Sequence, residues 1–116
     1  MITPIFRIFD IKKAHAFYLD YLGFQLDWQH QFAENMPMYF QISLDGTDLH
    51  LSEHHGDASP GSAIRIKMDD LKSYHTKLSE KSYRFANPGL EKTQWDTLEL
   101  KVIDPFSNRI IFYENC

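Results

Sequence analysis

The chain has 116 residues, 43% hydrophobic and 24% charged, with a formal net charge of −4. That length holds one domain with one real core, and the composition is that of an ordinary globular protein. Lys and Arg are scattered, which argues against nucleic acid; no apolar run approaches the ~20 residues of a bilayer span, and no basic-then-apolar leader is expected to direct export.

Residues 3–9 alternate weakly and read as a strand ending at Asp10, a good helix N-cap. Ile11, Ala14, Tyr18 and Leu22 then fall at α-helical spacing, and Gly23 closes the helix. Residues 24–32 alternate through Phe24, Leu26, Trp28, His30 and Phe32. In residues 37–44, Met38, Phe40, Ile42 and Leu44 share one face and Tyr39, Gln41 and Ser43 the other. Asp45-Gly46 is a strong hairpin turn. Residues 47–53 follow, Leu49 and Leu51 opposing His50 and Ser52. Residues 54–61, polar and carrying Gly56, Pro60 and Gly61, read as a hinge loop.

The pattern then repeats. Asp10, Ile11, Lys12, Ala14, His15 and Tyr18 are answered about 60 residues later by Asp70, Leu71, Lys72, Tyr74, His75 and Leu78. Residues 63–68 read as a strand, and a helix begins at Asp69 or Asp70. Residues 85–92 read as a loop around Pro88-Gly89, residues 95–103 as a strand, residues 104–108 as a turn and residues 109–113 as the last strand. The order is βαβββ twice, an α+β fold within a single domain, with one module over about residues 1–57 and the other over about 60–116. Each helix, with its single apolar stripe, should cover the convex face of its own four-stranded sheet. Two curved mixed sheets are then expected around a cleft. The alternate strand positions, Arg7, Tyr39, Gln41, His50, Ser52, Arg65, Thr97, Glu99, Ile111 and Tyr113, face that cleft, since a core would not tolerate them unpartnered.

Specific stretches carry a resemblance. Phe17-Tyr18 through Leu22-Gly23-Phe24 is similar to an "FY…LGF" pattern, and Asp104-Pro105-Phe106-Ser107-Asn108 to a "DP-x-G-N" turn with Ser107 where Gly is usual. With the aspartates and Leu71 before the second helix, the whole chain resembles the vicinal oxygen chelate superfamily, in its glyoxalase/bleomycin-resistance branch. The resemblance implies the paired-sheet fold and either a metal-dependent enzyme or a metal-free binding protein. Family enzymes hold a divalent metal with His, Gln or Glu. In this chain the corresponding positions fall at Thr3 or Pro4, Ala63 and Ile111, none able to ligate a metal, and only His50 lands on a ligand position.

Several constellations remain, each with a plainer reading beside it. His50, Glu53, His54, His55 and Asp57 form a local cluster, either an alternative metal site or a solvated polar loop. His50 and His54 lie about 13 Å apart along an extended strand, too far to share an ion without a bend. His50 with Glu99 makes an acid–base pair or two ligand hydrogen bonders. His15 and His75 recur by duplication, and His30 fits either face. Nine Phe, six Tyr and two Trp exceed the needs of a core. Trp28 is assigned to core or dimer interface by its alternation with Phe24 and Leu26. Phe32 and Trp95, at strand ends, are placed for stacking on a flat ligand. Glu99, with Asp96 or Glu53, favours a cationic ligand, whereas Arg7 and Arg65 oppose one or pair with Glu99. Nucleophile-elbow, P-loop and dinucleotide signatures are absent.

The resemblance and these residues together imply a metal-free binding protein of the bleomycin-resistance kind. It would sequester a planar, cationic antibiotic or other natural product between subunits, through Phe32, Tyr39, Gln41, His50, Ser52, Trp95, Glu99 and Tyr113, with no catalytic residue and no cofactor. The alternative is a divergent lyase, isomerase or thiol transferase with one divalent metal ion on His50, His54 and Glu99. A homodimer is expected, domain-swapped across the 56–61 hinge or paired at strand edges, because open four-stranded sheets leave edges to protect. Cys116 is the lone cysteine, which fits a cytoplasmic location.

Overall fold

The computed structural model describes every residue except Phe32, Ser82, Arg84 and Phe85. The element order is β1 (Ile5–Arg7), α1 (Ile11–Ala14) running into a π-helical segment (His15–Tyr21), β2 (Gln25–Gln31), β3 (Met38–Leu44), β4 (Thr47–Ser52), β5 (Ala63–Lys67), α2 (Leu71–Ser79), β6 (Leu90–Lys92), β7 (Thr97–Ile103) and β8 (Arg109–Asn115). The architecture is α+β, with two four-stranded mixed sheets ordered β1-β4-β3-β2 and β5-β8-β7-β6. Two compact units result: Met1–Ser62 with Asp104–Asn108, and Ala63–Ile103 with Arg109–Cys116.

The first unit begins as its sequence reads. Asp10 caps α1, its carboxylate accepting from the Lys13 N–H at 3.1 Å. A plain α-helix to Leu22 does not follow, because from His15 the helix widens and the Leu22 N–H reaches the Phe17 carbonyl at 2.9 Å. This π-helical turn buries Phe17, Tyr18, Tyr21 and Leu22 together. Phe17 meets Tyr18 edge-on at 5.0 Å, and Tyr18 meets Phe24 at 5.9 Å. His15 packs edge-on against Phe40 of β3 at 5.4 Å, laying the helix on its own sheet. Phe6, Phe40, Ile42, Leu49 and Leu51 form the covered face, each worth about 1.5–3 kcal/mol on burial. Asp45 and Gly46 both take positive φ, 53° and 84°, the signature of the hairpin turn between β3 and β4.

β2 departs from simple alternation. Leu26 lies opposite Ile42, yet Trp28 lies opposite Gln41, so Asp27 is an extra, bulged residue. A bulge shifts side-chain phase by one. Leu26 stays on the covered face while Trp28 and His30 pass to the face of Gln41 and Tyr39. Trp28 is consequently 45% exposed, and its assignment to the core is corrected.

The second unit repeats the topology. β5 runs parallel to β8, with Arg65 opposite Ile111, as β1 runs parallel to β4 with Ile5 opposite His50. His50 and Ile111 are thus equivalent positions. Tyr74 of α2 packs on Phe112 of β8 at 5.1 Å. Asp70 precedes α2 in the left-handed region and makes no side-chain cap. Instead, the Glu114 carboxylate accepts from the Asp70 and Leu71 N–H groups at 2.7 and 3.2 Å. The stretch after Gly89, read as loop, contains the short strand β6, paired with β7 from Leu90 opposite Leu100 to Lys92 opposite Leu98.

Candidate functional site

The uncovered face of the first sheet gathers one connected polar and aromatic cluster. Opposite pairing puts Gln41 beside His50, and Tyr39 beside both His30 and Ser52. The Tyr39 hydroxyl lies 2.6 Å from His50 Nδ1, and His50 Nε2 lies 2.9 Å from Gln41 Oε1. Gln41 Nε2 donates to Asp27 Oδ2 at 3.0 Å, and the Ser43 hydroxyl donates to Asp27 Oδ1 at 2.9 Å. Trp28 stacks on Tyr39 with ring centroids 6.0 Å apart and planes at 15°. His50 meets Trp28 edge-on at 5.3 Å and Tyr39 at 5.2 Å.

Beside this cluster is an open pocket of about 550 Å³ lined by Trp28, His30, Tyr39, His54 and Asp57. Ser52, fully buried, holds its far wall: its hydroxyl donates to Asp57 at 2.7 Å and accepts from the His54 N–H at 3.0 Å. Ser52 therefore positions Asp57. Burial, and then the nearby Asp57 carboxylate, raise the Tyr39 pKa, so the phenol stays neutral. Among the described residues no Lys or Arg lines the pocket. The Arg7 guanidinium is turned aside, donating to the backbone carbonyls of Ile8, Ser52 and Glu53 and lying 4.5 Å from the Phe9 ring centroid.

The uncovered face of the second sheet carries a separate cluster. Glu99 Oε2 accepts from Arg65 at 2.8 Å, from the Thr97 hydroxyl at 2.8 Å and from Trp95 Nε1 at 3.3 Å. These bonds, Arg65's first, hold the Glu99 carboxyl below its ordinary pKa. Arg65 also lies over the Tyr113 ring at 4.6 Å. Of the sequence-derived candidates, Tyr39, Gln41, His50 and Ser52 therefore share the first cluster, and Trp95, Glu99 and Tyr113 share the second. Phe32 lies outside the described residues. The expected pairing of Arg65 with Glu99 is present, whereas Arg7 is held by backbone instead. Both His50 ring nitrogens are occupied, by Tyr39 and Gln41.

The same occupancy bears on a metal. Family-type ligand positions are Thr3 or Pro4, Ala63 and Ile111, none with a suitable donor. His50 turns both nitrogens to protein partners, and Glu99 turns one oxygen to three donors. Among the described residues, no group of three or more His, Cys, Asp or Glu side chains is placed to hold a metal ion. The alternative set of His50, His54 and Glu99 does not fit the group.

Sequence reasoning missed Trp28, His30 and Asp27 as site residues. The available signal was Asp27 itself, an acidic residue inside a strand-like run, followed by Gln29 and Gln31 where a half-buried strand would place apolar side chains.

Comparison with known proteins gives a consistent picture. The sequence profile of the glyoxalase superfamily matches residues 1–116. No curated protein sequence matches. Among solved structures, a bleomycin resistance determinant encoded on transposon Tn5 superposes with a TM-score of 0.75 at 18% identity, over 99% of this chain and 97% of that one. A bleomycin-binding protein complexed with bleomycin gives 0.74 at 18% identity, over 100% and 98%. TnmS3, an antibiotic-binding protein from Streptomyces sp. CB03234, gives 0.69 at 21% identity, over 100% and 97%. At these identities the likeness shows the fold.

Proposed function

The chain belongs to the glyoxalase superfamily, and from that premise we propose that it is a metal-free small-molecule-binding protein that takes up a planar, cationic ligand of the antibiotic class. The observation that carries this reading is the pocket of about 550 Å³ whose walls are Trp28, Tyr39 and two histidines and which, among the described residues, has Asp57 as its acidic side chain and no Lys or Arg. Aromatic faces hold a flat ring at about 0.5–1.5 kcal/mol per stacked pair, and a cation over Trp28 or Tyr39 adds about 0.5–2 kcal/mol. Asp57, backed by Ser52, attracts the charge. Structural neighbours that bind bleomycin or another antibiotic support the ligand class. Protection then comes from sequestration, and no residue is assigned to catalysis. The lone, exposed Cys116 suits a cytoplasmic location, and the open sheet edges suit a homodimer, which light scattering would read directly.

The test is titration with metal-free bleomycin, followed by tryptophan fluorescence, alongside elemental analysis of the protein after reloading with Ni, Zn, Mn, Fe and Co. Micromolar binding, weakened about tenfold in Trp28→Ala and Asp57→Asn, supports the reading. Absence of micromolar binding to bleomycin and to other planar cations would count against it. One tightly held metal equivalent per chain would replace it with the enzyme reading.

A further inference from the structure

A carboxylate accepts hydrogen bonds and donates none, so Asp27 determines more than its own position. With Gln41 Nε2 donating to it at 3.0 Å, the Gln41 amide is oriented with Oε1 towards His50. An amide oxygen only accepts, so the His50 nitrogen 2.9 Å away, Nε2, must carry a proton. Neutral imidazole then has a bare lone pair at Nδ1, and the Tyr39 hydroxyl, 2.6 Å away, donates to it. The phenolic proton is committed to His50. Towards the pocket that Tyr39 lines, its oxygen has only lone pairs to offer.

We infer that Asp27, acting through Gln41 and His50, sets the hydrogen-bonding polarity of Tyr39, so that the pocket selects planar ligands bearing an N–H or O–H donor over isosteres that present only an acceptor. This inference rests on the pocket being the binding site, as proposed above. Asp27 is a positioning residue: it is not among the residues that line the pocket, yet reversing its hydrogen-bonding character reverses the relay. In Asp27→Asn, with the Ser43 hydroxyl still donating to the side-chain oxygen, the new amide nitrogen faces Gln41 and donates to its Oε1. Gln41 then turns its own amide nitrogen to His50 Nε2, the His50 proton moves to Nδ1, and the Tyr39 proton swings to the pocket. The bulge that carries Asp27 thus has a purpose beyond exposing Trp28.

The experiment has two independent readouts on the full chain. Long-range ¹H–¹⁵N correlation at about pH 8, where free imidazole is neutral, reports the His50 tautomer; the same spectra verify that each variant is folded. Wild type should show the Nε2–H form and Asp27→Asn the Nδ1–H form. Binding is read with two neutral planar probes of similar shape, 2-naphthamide, which donates, and methyl 2-naphthoate, which only accepts. Wild type should prefer the amide roughly tenfold, the scale of one hydrogen bond, and Asp27→Asn should lose or reverse that preference. An Nδ1–H tautomer in wild type would overturn the relay. A tautomer change that leaves probe preference unmoved would overturn its link to the pocket. If neither probe binds wild type at millimolar concentration while the tautomers behave as stated, the binding-site reading fails, and the selectivity falls with it.

Discussion

Glu99 gathers three donors on one oxygen, Arg65, Thr97 and Trp95, and its pKa is lowered, chiefly by the Arg65 bond. A depressed carboxyl contributes stability above its unfolded pKa and loses it as pH falls through the folded value. The carboxyl ¹³C titration of Glu99 should therefore have its midpoint below the usual carboxylate range and move up in Arg65→Leu. An unmoved midpoint would remove Arg65 as the cause. Ser107, where the family turn usually has Gly, takes a positive φ of 72°. Left-handed geometry costs a residue with a Cβ about 1–2 kcal/mol, partly offset by the extra unfolded-state freedom of Gly. Ser107→Gly should then gain about 0.5 kcal/mol in urea unfolding, and a loss would show that the Ser side chain matters. At this scale the sequence was readable wherever strand alternation held: Tyr39, Gln41 and His50 share the face expected of them. It failed at Trp28, because a single extra residue moves every later side chain of a strand to the other face and leaves no local mark except an acid in its middle.

The two βαβββ modules share topology and register, yet equivalent elements are secured by different means. Asp10 caps α1 through its own carboxylate, whereas Asp70, left-handed with φ 55°, leaves α2 to be capped by Glu114 from β8. Negative charge at a helix N-terminus with two N–H bonds is worth about 1 kcal/mol. Glu114→Ala should cost about that much, with amide exchange quickening first at the start of α2. Uniform loss of protection over the unit would mean that Glu114 supports the sheet instead. The duplication was legible because Asp-Ile-Lys and Asp-Leu-Lys recur at a fixed interval. The π-helical turn was not, because Ala14, Tyr18 and Leu22 satisfy α-helical spacing too. Only burial of Phe17, Tyr18, Tyr21 and Leu22 on one side distinguishes the wider turn. β6 escaped for a different reason: three residues are too few to display a period.

The first unit depends on a buried junction between residues far apart in the chain. The Tyr18 hydroxyl donates to Asp104 at 2.6 Å across 86 positions, and Asn108 Nδ2 donates to the Arg7 carbonyl at 2.8 Å across 101. Asp104 also accepts from the Phe106 and Asn108 N–H groups, each at 2.8 Å. The "DP-x-G-N" turn, which sequence places simply between the last two strands, thus closes the first unit, and no pattern in the residues could show that. Burial raises the Asp104 pKa, while the bonds from Tyr18, Asn108 and the backbone hold it down. A carboxyl raised on folding contributes stability that is fully present below its unfolded pKa and is lost as pH rises through the folded value. The Tyr18 bond works the other way, because it favours the ionised form. Tyr18→Phe should accordingly cost about 1–3 kcal/mol at neutral pH, where a buried carboxylate oxygen loses one of its donors and keeps Asn108 Nδ2. That cost should shrink as pH falls through the raised Asp104 value, where both proteins bury a protonated acid. Thermal unfolding of the pair across pH 4 to 8 measures the difference directly. A cost independent of pH would mean that the charge on Asp104 has no part in closing the unit, and no cost at all would mean that Tyr18 contributes only the ring packing against Phe17 and Phe24 that Phe retains.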